Sequence, residues 1–312
     1  MNNILITGAT GFIGSNLTQH LSLKGNAIHI LVRKKELHWR LKNYQSKLHI
    51  YECDLLSPSL KEIINKIHPE YIFHCASYGT VDQDNNNNKI IDINIKGTLN
   101  LLEALKKTSF KLFVNTGSSS EYGTKNEPMT EQMMLDPNNV YGVSKTAATL
   151  LCQQVAKKEK LPIITLRLFS PYGYFEEKSR LIPSVILQSL ENHEISLSSP
   201  TNVRDFIFID DIISAYTACM TTPITPGEIF NIGSGQQHSV QEVVTTILQI
   251  TKSASKPHWG KIPPQLRQQE PIIWKADIFK AKSLLQWKPQ YSLHEGLKKT
   301  IAWFSTNKNL YA

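Results

Sequence analysis

The fold is decided by residues 7–14, which read Thr7-Gly8-Ala9-Thr10-Gly11-Phe12-Ile13-Gly14. They lie between a short apolar run, Ile4–Ile6, and a stretch of helical character, Asn16–Leu23. Glycines at such a strand-to-helix turn let the backbone approach a pyrophosphate, whose charge is stabilised by the free amides at the helix start. The turn therefore predicts a dinucleotide site, and we assign cofactor contacts to Gly8, Thr10, Gly11, Phe12, Ile13 and Gly14.

Short apolar runs alternate with amphipathic stretches over the first 170 residues. This rhythm is typical of a parallel sheet covered by helices on both faces. We therefore predict an α/β protein built on a doubly wound, Rossmann-like parallel sheet. The predicted strands are Ile4–Ile6, Ala27–Val32, His49–Glu52, Tyr71–His74, Lys111–Thr116 and Ile163–Leu168.

Beyond residue 170 the alternation loosens, and prolines interrupt short elements. This pattern predicts a smaller α/β substrate lobe made from excursions of the chain. The run Phe206–Ile209 before a helical stretch, and the run Ile229–Asn231, indicate that the chain returns to the main sheet or its flank. We assign residues 1–168 to the dinucleotide-binding domain, with 203–231 returning to it, and residues 169–202 and 232–312 to the substrate lobe.

The composition is that of an ordinary globular protein, with 41% hydrophobic and 19% charged residues, which excludes a disordered or fibrous chain. The formal net charge of +8 is spread out, so we expect no nucleic-acid surface. No apolar run approaches the roughly 20 residues of a membrane span, and no secretory leader precedes the first strand. We expect a cytoplasmic protein without metal, whose reduced cysteines are Cys53, Cys75, Cys152 and Cys219.

The glycine spacing is Gly-x-x-Gly-x-x-Gly rather than the Gly-x-Gly-x-x-Gly of simpler dehydrogenases. This spacing is similar to that of the short-chain dehydrogenase/reductase superfamily. The residue sequence of Thr7–Gly14 resembles that of the extended branch of nucleotide-sugar epimerases, dehydratases and reductases. The resemblance implies an enzyme that uses a nicotinamide dinucleotide, acts on a nucleoside-diphosphate sugar and forms a homodimer.

The second predicted strand ends Leu31-Val32-Arg33-Lys34-Lys35. A carboxylate at this point would hold the ribose hydroxyls of NAD, whereas an arginine suits the 2′-phosphate of NADP. Because no carboxylate is present, Arg33 favours NADP(H), with NAD(H) as the alternative. The resemblance implies further cofactor contacts at Asp54 and Leu55, at Cys75, Ala76 and Ser77, and at Asn94, which would brace the active-site strands.

A tyrosine and a lysine lie one helical turn apart in Tyr141-Gly142-Val143-Ser144-Lys145, so both face the same side. A nearby ammonium favours the phenolate, which brings a phenol of ordinary pKa about 10 closer to neutral pH. The resemblance implies that Tyr141 and Lys145 are catalytic and also contact the cofactor. Aligned on Tyr122-Gly123, Ser118 takes the place of the catalytic hydroxyl residue. The alternative is a serine-rich loop that satisfies its own backbone.

The substrate side is predicted by the same resemblance. Ser119 and Ser120 stand where the 4,6-dehydratases of this branch carry acidic residues, so dehydration is disfavoured unless a bulge brings Glu121 into that place. An arginine fork suits a diphosphate, although Arg204 could instead pair with Asp205 or Asp210. The predicted substrate contacts are Ser119, Ser120, Ser170, Arg180 and Arg204.

These features favour NADPH-dependent reduction of the C4 keto group of a nucleoside-diphosphate 4-keto-6-deoxy sugar, in deoxysugar or surface-polysaccharide biosynthesis. In this reaction Tyr141 would donate the proton. A 4-epimerase that uses the same three residues around a retained cofactor is the alternative, and the sequence separates the two poorly. A non-catalytic NADP(H)-binding regulator is a third hypothesis, against which the intact Ser118, Tyr141 and Lys145 argue.

Overall fold

The computed structural model describes residues 2–34, 39–79, 86–261 and 272–311. The strands within these ranges are β1 (Asn3–Thr7), β2 (Ala27–Val32), β3 (Leu48–Glu52), β4 (Tyr71–His74), β5 (Leu112–Ser118), β6 (Ile163–Leu168), β7 (Ser170–Tyr172), β8 (Ile195–Ser196), β9 (Val203–Arg204), β10 (Phe206–Phe208), β11 (Ile229–Ile232), β12 (His238–Ser239) and β13 (Pro257–His258). Seven of them form the main parallel sheet, in the spatial order β11-β6-β5-β4-β1-β2-β3.

Helices connect and cover these strands. A π-turn (Asp92–Lys96) precedes α4, and 3₁₀ turns lie at Trp39–Lys47, Ser119–Glu121 and Lys308–Tyr311. In the described part of the chain, no helix is long and apolar enough to cross a membrane. The helices are α1 (Phe12–Ser22), α2 (Leu60–Ile67), α3 (Asn87–Ile91), α4 (Gly97–Leu105), α5 (Val140–Glu159), α6 (Leu181–Leu190), α7 (Ile209–Cys219), α8 (Val240–Thr251), α9 (Phe279–Leu284) and α10 (Leu293–Asn307).

Both faces of the sheet are buried, as the uninterrupted apolar strands require. Successive side chains of a strand point to opposite faces, so β1 sends Ile4 and Ile6 to one core and Leu5 to the other. The first core contains apolar residues of α1 and α7, and the second contains those of α2, α4 and α5. The predicted Rossmann-like fold is therefore confirmed.

The strand order reverses between β1 and β4, because β2 and β3 follow on one side and β5 and β6 on the other. In open α/β sheets, ligands bind at such a switch point beyond the carboxyl ends of the strands. Thr7, His74 and Ser118 end β1, β4 and β5 at this edge. Strand β5 runs past the predicted Thr116 because Gly117 and Ser118 continue the pairing with β6.

The later elements form small two-stranded sheets, which pair β10 with β7, β12 with β9 and β13 with β8. Buried Asp205 joins them, since its carboxylate accepts backbone N–H bonds from Ser234 at 2.7 Å, Gly235 at 3.1 Å and Ala276 at 2.9 Å. Strand β11 pairs with β6 in the main sheet. The division of the chain into two lobes at the boundaries given above stays a prediction.

Candidate active site

The glycine turn between β1 and α1 is shaped for close approach. The Gly11 N–H donates to Gly8 O at 3.0 Å, and Gly8 has a φ of +67° that favours glycine. A Cβ at Gly8 would lie 2.5 Å from Ala76 N, and one at Gly14 would lie 2.2 Å from Gly8 O. No side chain caps α1 and its first turn carries no acid, so its amide groups remain available to an anion. The turn therefore fits a pyrophosphate.

Tyr141 and Lys145 lie in the first two turns of α5, whose start is capped by Asn139 accepting the Gly142 N–H at 2.7 Å. Lys145 is only 4% exposed. Within the described residues its ammonium has no hydrogen-bond or ion-pair partners, but the nitrogen itself is not fully enclosed, so partners can reach it from the open side of the site. This is the place where a phenolate and the hydroxyls of a cofactor ribose would supply them. The residues present therefore fit a nicotinamide dinucleotide.

Three backbone approaches bring the predicted residues to one edge of the sheet. Gly8 lies against the backbone of Cys75 and Ala76 after β4. The Tyr141 ring lies 3.7 Å from where a Cβ of Gly79 would stand. A Cβ at Gly142 would lie 2.6 Å from Ser120 O, so the turn after β5 packs directly on the start of α5. The glycine turn, the end of β4, the Ser118 turn and the Tyr141 helix thus lie next to one another at the carboxyl ends of the strands.

The side chain of Ser118 caps the 3₁₀ turn that follows β5. Its Oγ accepts the Ser120 N–H at 3.1 Å, and its own N–H donates to Glu121 Oε1 at 2.9 Å. The serine loop therefore does satisfy its own backbone, as the alternative supposed. Accepting this bond still leaves the hydroxyl proton of Ser118 to donate to a reacting oxygen. The catalytic role of Ser118 stays a prediction, and Ser119 is buried whereas Ser120 is half-buried.

The carboxylate of Glu121 points into the protein. Oε1 accepts from Thr149 Oγ1 at 3.0 Å, and Oε2 accepts from Arg167 Nε at 2.7 Å. Both members of this ion pair are buried, and Gly117 leaves room for it, since a Cβ there would lie 2.7 Å from Glu121 Oε1. Glu121 therefore does not take the place of a dehydratase acid.

The Arg167 guanidinium also anchors the tyrosine used for the alignment. Arg167 Nη1 donates to Tyr122 Oη at 3.0 Å, and this hydroxyl donates to Asn231 Oδ1 at 2.7 Å. Burial raises the pKa of Tyr122 to about 12, so it stays a neutral donor. The buried network of Glu121, Arg167, Tyr122 and Asn231 holds the Ser118 turn through the bond between Ser118 N–H and Glu121 Oε1. The sequence analysis did not predict this network.

Asn94 braces the loop after β4 against α5. Its Oδ1 accepts the Tyr78 N–H at 2.8 Å, and its Nδ2 donates to Tyr78 O at 2.9 Å and to Ser144 Oγ at 2.9 Å. The π-turn at Asp92–Lys96 holds this side chain in a buried position. These contacts join a loop to a helix rather than two strands, and the cofactor contact of Asn94 stays a prediction.

The residues predicted to contact the cofactor from the ends of β2 and β3 are Arg33, Asp54 and Leu55. Cys53 N–H donates to Val32 O at 2.8 Å, which joins the ends of the two strands. Arg33 is exposed there, and Asp54 Oδ1 accepts the Leu56 N–H at 2.8 Å in its own turn. Leu55 is buried against Gly97. Ser77 is exposed after β4, and Thr116 Oγ1 donates to Cys75 Sγ at 3.5 Å.

The substrate-side residues lie on other segments. Arg204 Nη1 donates to Val203 O at 2.6 Å, and its guanidinium lies 5.1 Å from the centre of the Trp274 ring. Of the two carboxylates named as alternative partners, Asp205 accepts bonds from backbone amides and Asp210 lies 3.8 Å from Lys299 Nζ. Ser170 donates its N–H to Asp205 O at 3.0 Å. In the part of the chain that is described, no hydrogen bond joins Ser170, Arg180 or Arg204 to the catalytic residues.

Glu176, between β7 and α6, is a buried acid that the sequence did not single out. Its Oε2 has no hydrogen-bond partner among the described residues, and its Oε1 lies 3.9 Å from Nε of half-exposed Arg180. Burial raises the pKa of Glu176 to about 8, and the Arg180 charge offsets this only in part. Glu176 is therefore neutral at pH 7.

We expect Glu176→Gln to stabilise the protein increasingly as the pH rises. A folded-state pKa above the ordinary value means that the folded protein holds the proton between about pH 4.5 and 8, so its stability falls through that window. At pH 7 the substitution should raise the free energy of unfolding by roughly 2–3 kcal/mol. Urea denaturation at pH 5 and pH 8 measures this. Glu62→Gln, at an exposed position of α2, is the control, and equal pH slopes for wild type and Glu176→Gln would contradict the prediction.

Comparison with known proteins identifies the family. Residues 4–233 match the model of the NAD dependent epimerase/dehydratase family. A Bacillus subtilis protein described as an uncharacterized UDP-glucose epimerase is 31% identical over 97% of this chain and 98% of its own length. A UDP-N-acetyl-alpha-D-glucosaminuronate decarboxylase of Bacillus cytotoxicus is 30% identical over 98% of each chain. The relatives thus cover more than one reaction.

Solved structures agree with the assignment. UDP-glucuronic acid 4-epimerase from Bacillus cereus, in complex with UDP-glucuronic acid and NAD, has a TM-score of 0.87 and 29% identity, covering 97% of this chain and 99% of that one. UDP-glucose 4-epimerase from Thermotoga maritima, with UDP-glucose, has a TM-score of 0.90 and 26% identity, covering 98% and 99%. The chain therefore belongs to the NAD dependent epimerase/dehydratase family and is an NAD(P)-dependent enzyme of the extended short-chain dehydrogenase/reductase type.

Proposed function

We propose that the chain is a nucleotide-sugar 4-epimerase, which oxidises C4 of the sugar and reduces it again from the other face around a retained cofactor. The observation that carries this proposal is the inward position of Glu121, whose carboxylate is held by Arg167 at 2.7 Å. The Ser118–Glu121 turn then offers hydroxyl groups to the sugar and no acid for elimination. The similar 4-epimerases favour this reaction over reduction of a 4-keto-6-deoxy sugar, which the sequence alone preferred.

The three catalytic side chains divide the proton chemistry. Tyr141 takes the proton of the C4 hydroxyl and later returns one to the C4 oxygen. Lys145, buried and without a protein partner in the described chain, stabilises the phenolate form of Tyr141 and holds the ribose. Ser118 donates its hydroxyl proton in a hydrogen bond to the same oxygen. A nicotinamide dinucleotide held by the Gly8–Gly14 turn and Lys145 would supply the hydride chemistry at C4.

The substrate is a nucleoside-diphosphate sugar held by its charged end. Arg204 and half-exposed Arg180 are the cations that we assign to the diphosphate, because a planar fork binds phosphate oxygens in pairs. An epimerase must let the sugar present both faces of C4 to the cofactor in turn, whereas a reductase needs only one.

The test is turnover without added cofactor. Purified enzyme is incubated with UDP-glucose, UDP-glucuronic acid and dTDP-glucose, and the products are separated and identified by NMR. A C4 epimer formed from one of them supports the proposal. Release of CO₂ would show a decarboxylase, a 4-keto-6-deoxy product a dehydratase, and stoichiometric NADPH consumption with a 4-keto substrate a reductase. Cofactor binding with no turnover of any compound would support the regulator.

We propose Arg33 as the contact to a cofactor 2′-phosphate, so that NADP is bound as well as NAD. Its exposed position after β2 and the absence of a carboxylate in Leu31–Lys34 support this. Arg33→Ser should weaken NADP binding about 10-fold, the worth of one charged hydrogen bond, and leave NAD binding unchanged. Calorimetry on cofactor-free protein measures both, with exposed Lys47→Ser as the charge control. If both cofactors weaken equally, or neither does, Arg33 does not read the phosphate.

A further inference from the structure

A chain of buried hydrogen bonds crosses the sheet edge beneath the site. Thr7 and His74 are paired neighbours in β1 and β4, and Thr7 Oγ1 lies 2.7 Å from His74 Nδ1. On its other side, His74 Nε2 lies 2.9 Å from Thr98 Oγ1 in α4. Thr98 Oγ1 donates to the backbone O of Asn94 at 2.7 Å. All four residues are buried, so each bond is sheltered from water.

The directions of these bonds determine the protonation of His74. Because the Thr98 hydroxyl proton is used on Asn94 O, Thr98 Oγ1 must accept from His74 Nε2–H. Nδ1 then accepts the Thr7 hydroxyl proton, and Thr7 Oγ1 accepts the Ala76 N–H at 3.4 Å. A second proton, on Nδ1, would require the Thr7 hydroxyl to turn its own proton away from the ring and accept instead. Burial, and then the Lys145 charge, lower the pKa of His74 to about 3.

The chain of bonds joins the two halves of the proposed site. At one end, Thr7 directly precedes the Gly8 turn. At the other end, the Asn94 side chain donates to Ser144 Oγ at 2.9 Å, and Ser144 Oγ donates to Tyr141 O at 2.7 Å. A path of hydrogen bonds, joined by the covalent frame of Asn94, thus leads from Thr7 to the backbone of Tyr141. Its one ring, His74, is the element that spans from β1 to α4.

We propose that His74 is a positioning residue, whose neutral Nε2–H form sets the distance between the glycine turn and the helix that carries Tyr141 and Lys145. This rests on the proposed role of Tyr141. His74 exchanges no proton in the reaction. It holds β4 between β1 and the Asn94 segment. This spacing places the Tyr141 hydroxyl within hydrogen-bonding distance of the C4 oxygen of a sugar bound beside the cofactor turn.

The kinetic test removes one link. Thr98→Val keeps the side-chain shape and deletes the hydroxyl between His74 and Asn94. Thr300→Val is the matched control, because buried Thr300 also donates to the carbonyl four residues earlier, Gly296 O at 2.7 Å, in α10. For Thr98→Val we expect kcat to fall about 10- to 100-fold with KM for the nucleotide sugar unchanged, and Thr98→Ser to restore it. Folding of each variant is checked by circular dichroism below its melting temperature.

A spectroscopic test needs no substrate. Nitrogen-15 NMR of the histidine ring should show His74 as the neutral Nε2–H tautomer from pH 5 to pH 8 in wild type. An Nδ1–H tautomer or an imidazolium at pH 7 would overturn the proposal, as would a kcat of Thr98→Val equal to that of Thr300→Val. The kinetics use whichever nucleotide sugar turns over, so a decarboxylase or dehydratase product would refute the epimerase assignment while leaving the role of His74 testable.

Discussion

Tyr141→Phe is expected to lower kcat by about 10²- to 10⁴-fold, the contribution of a positioned general acid or base. The phenyl ring keeps the contacts of the half-buried side chain, and only the hydroxyl that exchanges the proton is lost. KM for the nucleotide sugar and cofactor binding should therefore change little, because the lost interaction acts in the transition state. Steady-state kinetics with the best substrate of the panel, together with cofactor titration, measure the three quantities.

The control for this variant is Tyr71→Phe. Tyr71 is also half-buried, but it is the first residue of β4 and lies at the amino ends of the strands, away from the site. Its ring lies 5.8 Å from Lys111 Nζ. Loss of its hydroxyl should leave kcat within about twofold, as for a substitution outside the site. If a folded Tyr141→Phe enzyme works at the wild-type rate, Tyr141 is not the acid–base residue and the proposed mechanism is wrong.

Arg167→Met and Glu121→Gln are each expected to lower the free energy of unfolding by about 3–5 kcal/mol. Each substitution leaves the other partner of a fully buried ion pair without its counter-charge. The double variant should recover much of this loss, because two neutral side chains of similar size leave no unpaired charge in the core. Urea denaturation of the four proteins measures the coupling.

The exposed pair of Glu103 and Lys106 provides the contrast. Its atoms are equally close, at 2.6 Å, but both side chains are half exposed. Glu103→Gln should therefore cost no more than about 1 kcal/mol. If Glu121→Gln costs as little as Glu103→Gln, the Glu121 carboxylate is not locked beneath the Ser118 turn. The structural argument against dehydration would then be lost, and a sugar proton could reach that acid.

Several parts of the site could be predicted because their signals are local. The glycine turn was predicted from its spacing between a strand and a helix, and Tyr141 and Lys145 were predicted because one helical turn places them on the same side. Asn94 was expected to brace the active-site strands, and its side chain instead joins the loop after β4 to α5. The main sheet was predicted almost strand for strand, because strands buried on both faces are continuous apolar runs.

Other parts have no local signal. Thr7, His74 and Thr98 are 67 and 24 residues apart in sequence, and only the pairing of β1 with β4 and the packing of α4 bring them together. The sequence shows which residues the Ser118–Glu121 loop contains, but it does not show where the Glu121 carboxylate points. That direction is decided by Arg167, which lies 46 residues later on β6.

By itself, the sequence determined the fold class, and it was enough to predict the cofactor turn and the tyrosine–lysine pair, since these depend on backbone conformation and helix period over a few residues. Only the tertiary structure decided that the Glu121 carboxylate points into the core and that His74 links β1 to α4 beside the Tyr141 helix. It also decided that burial raises the pKa of Glu176. The physical reason is that burial and hydrogen-bond partners come from residues far apart along the chain. The pattern of one segment does not contain them.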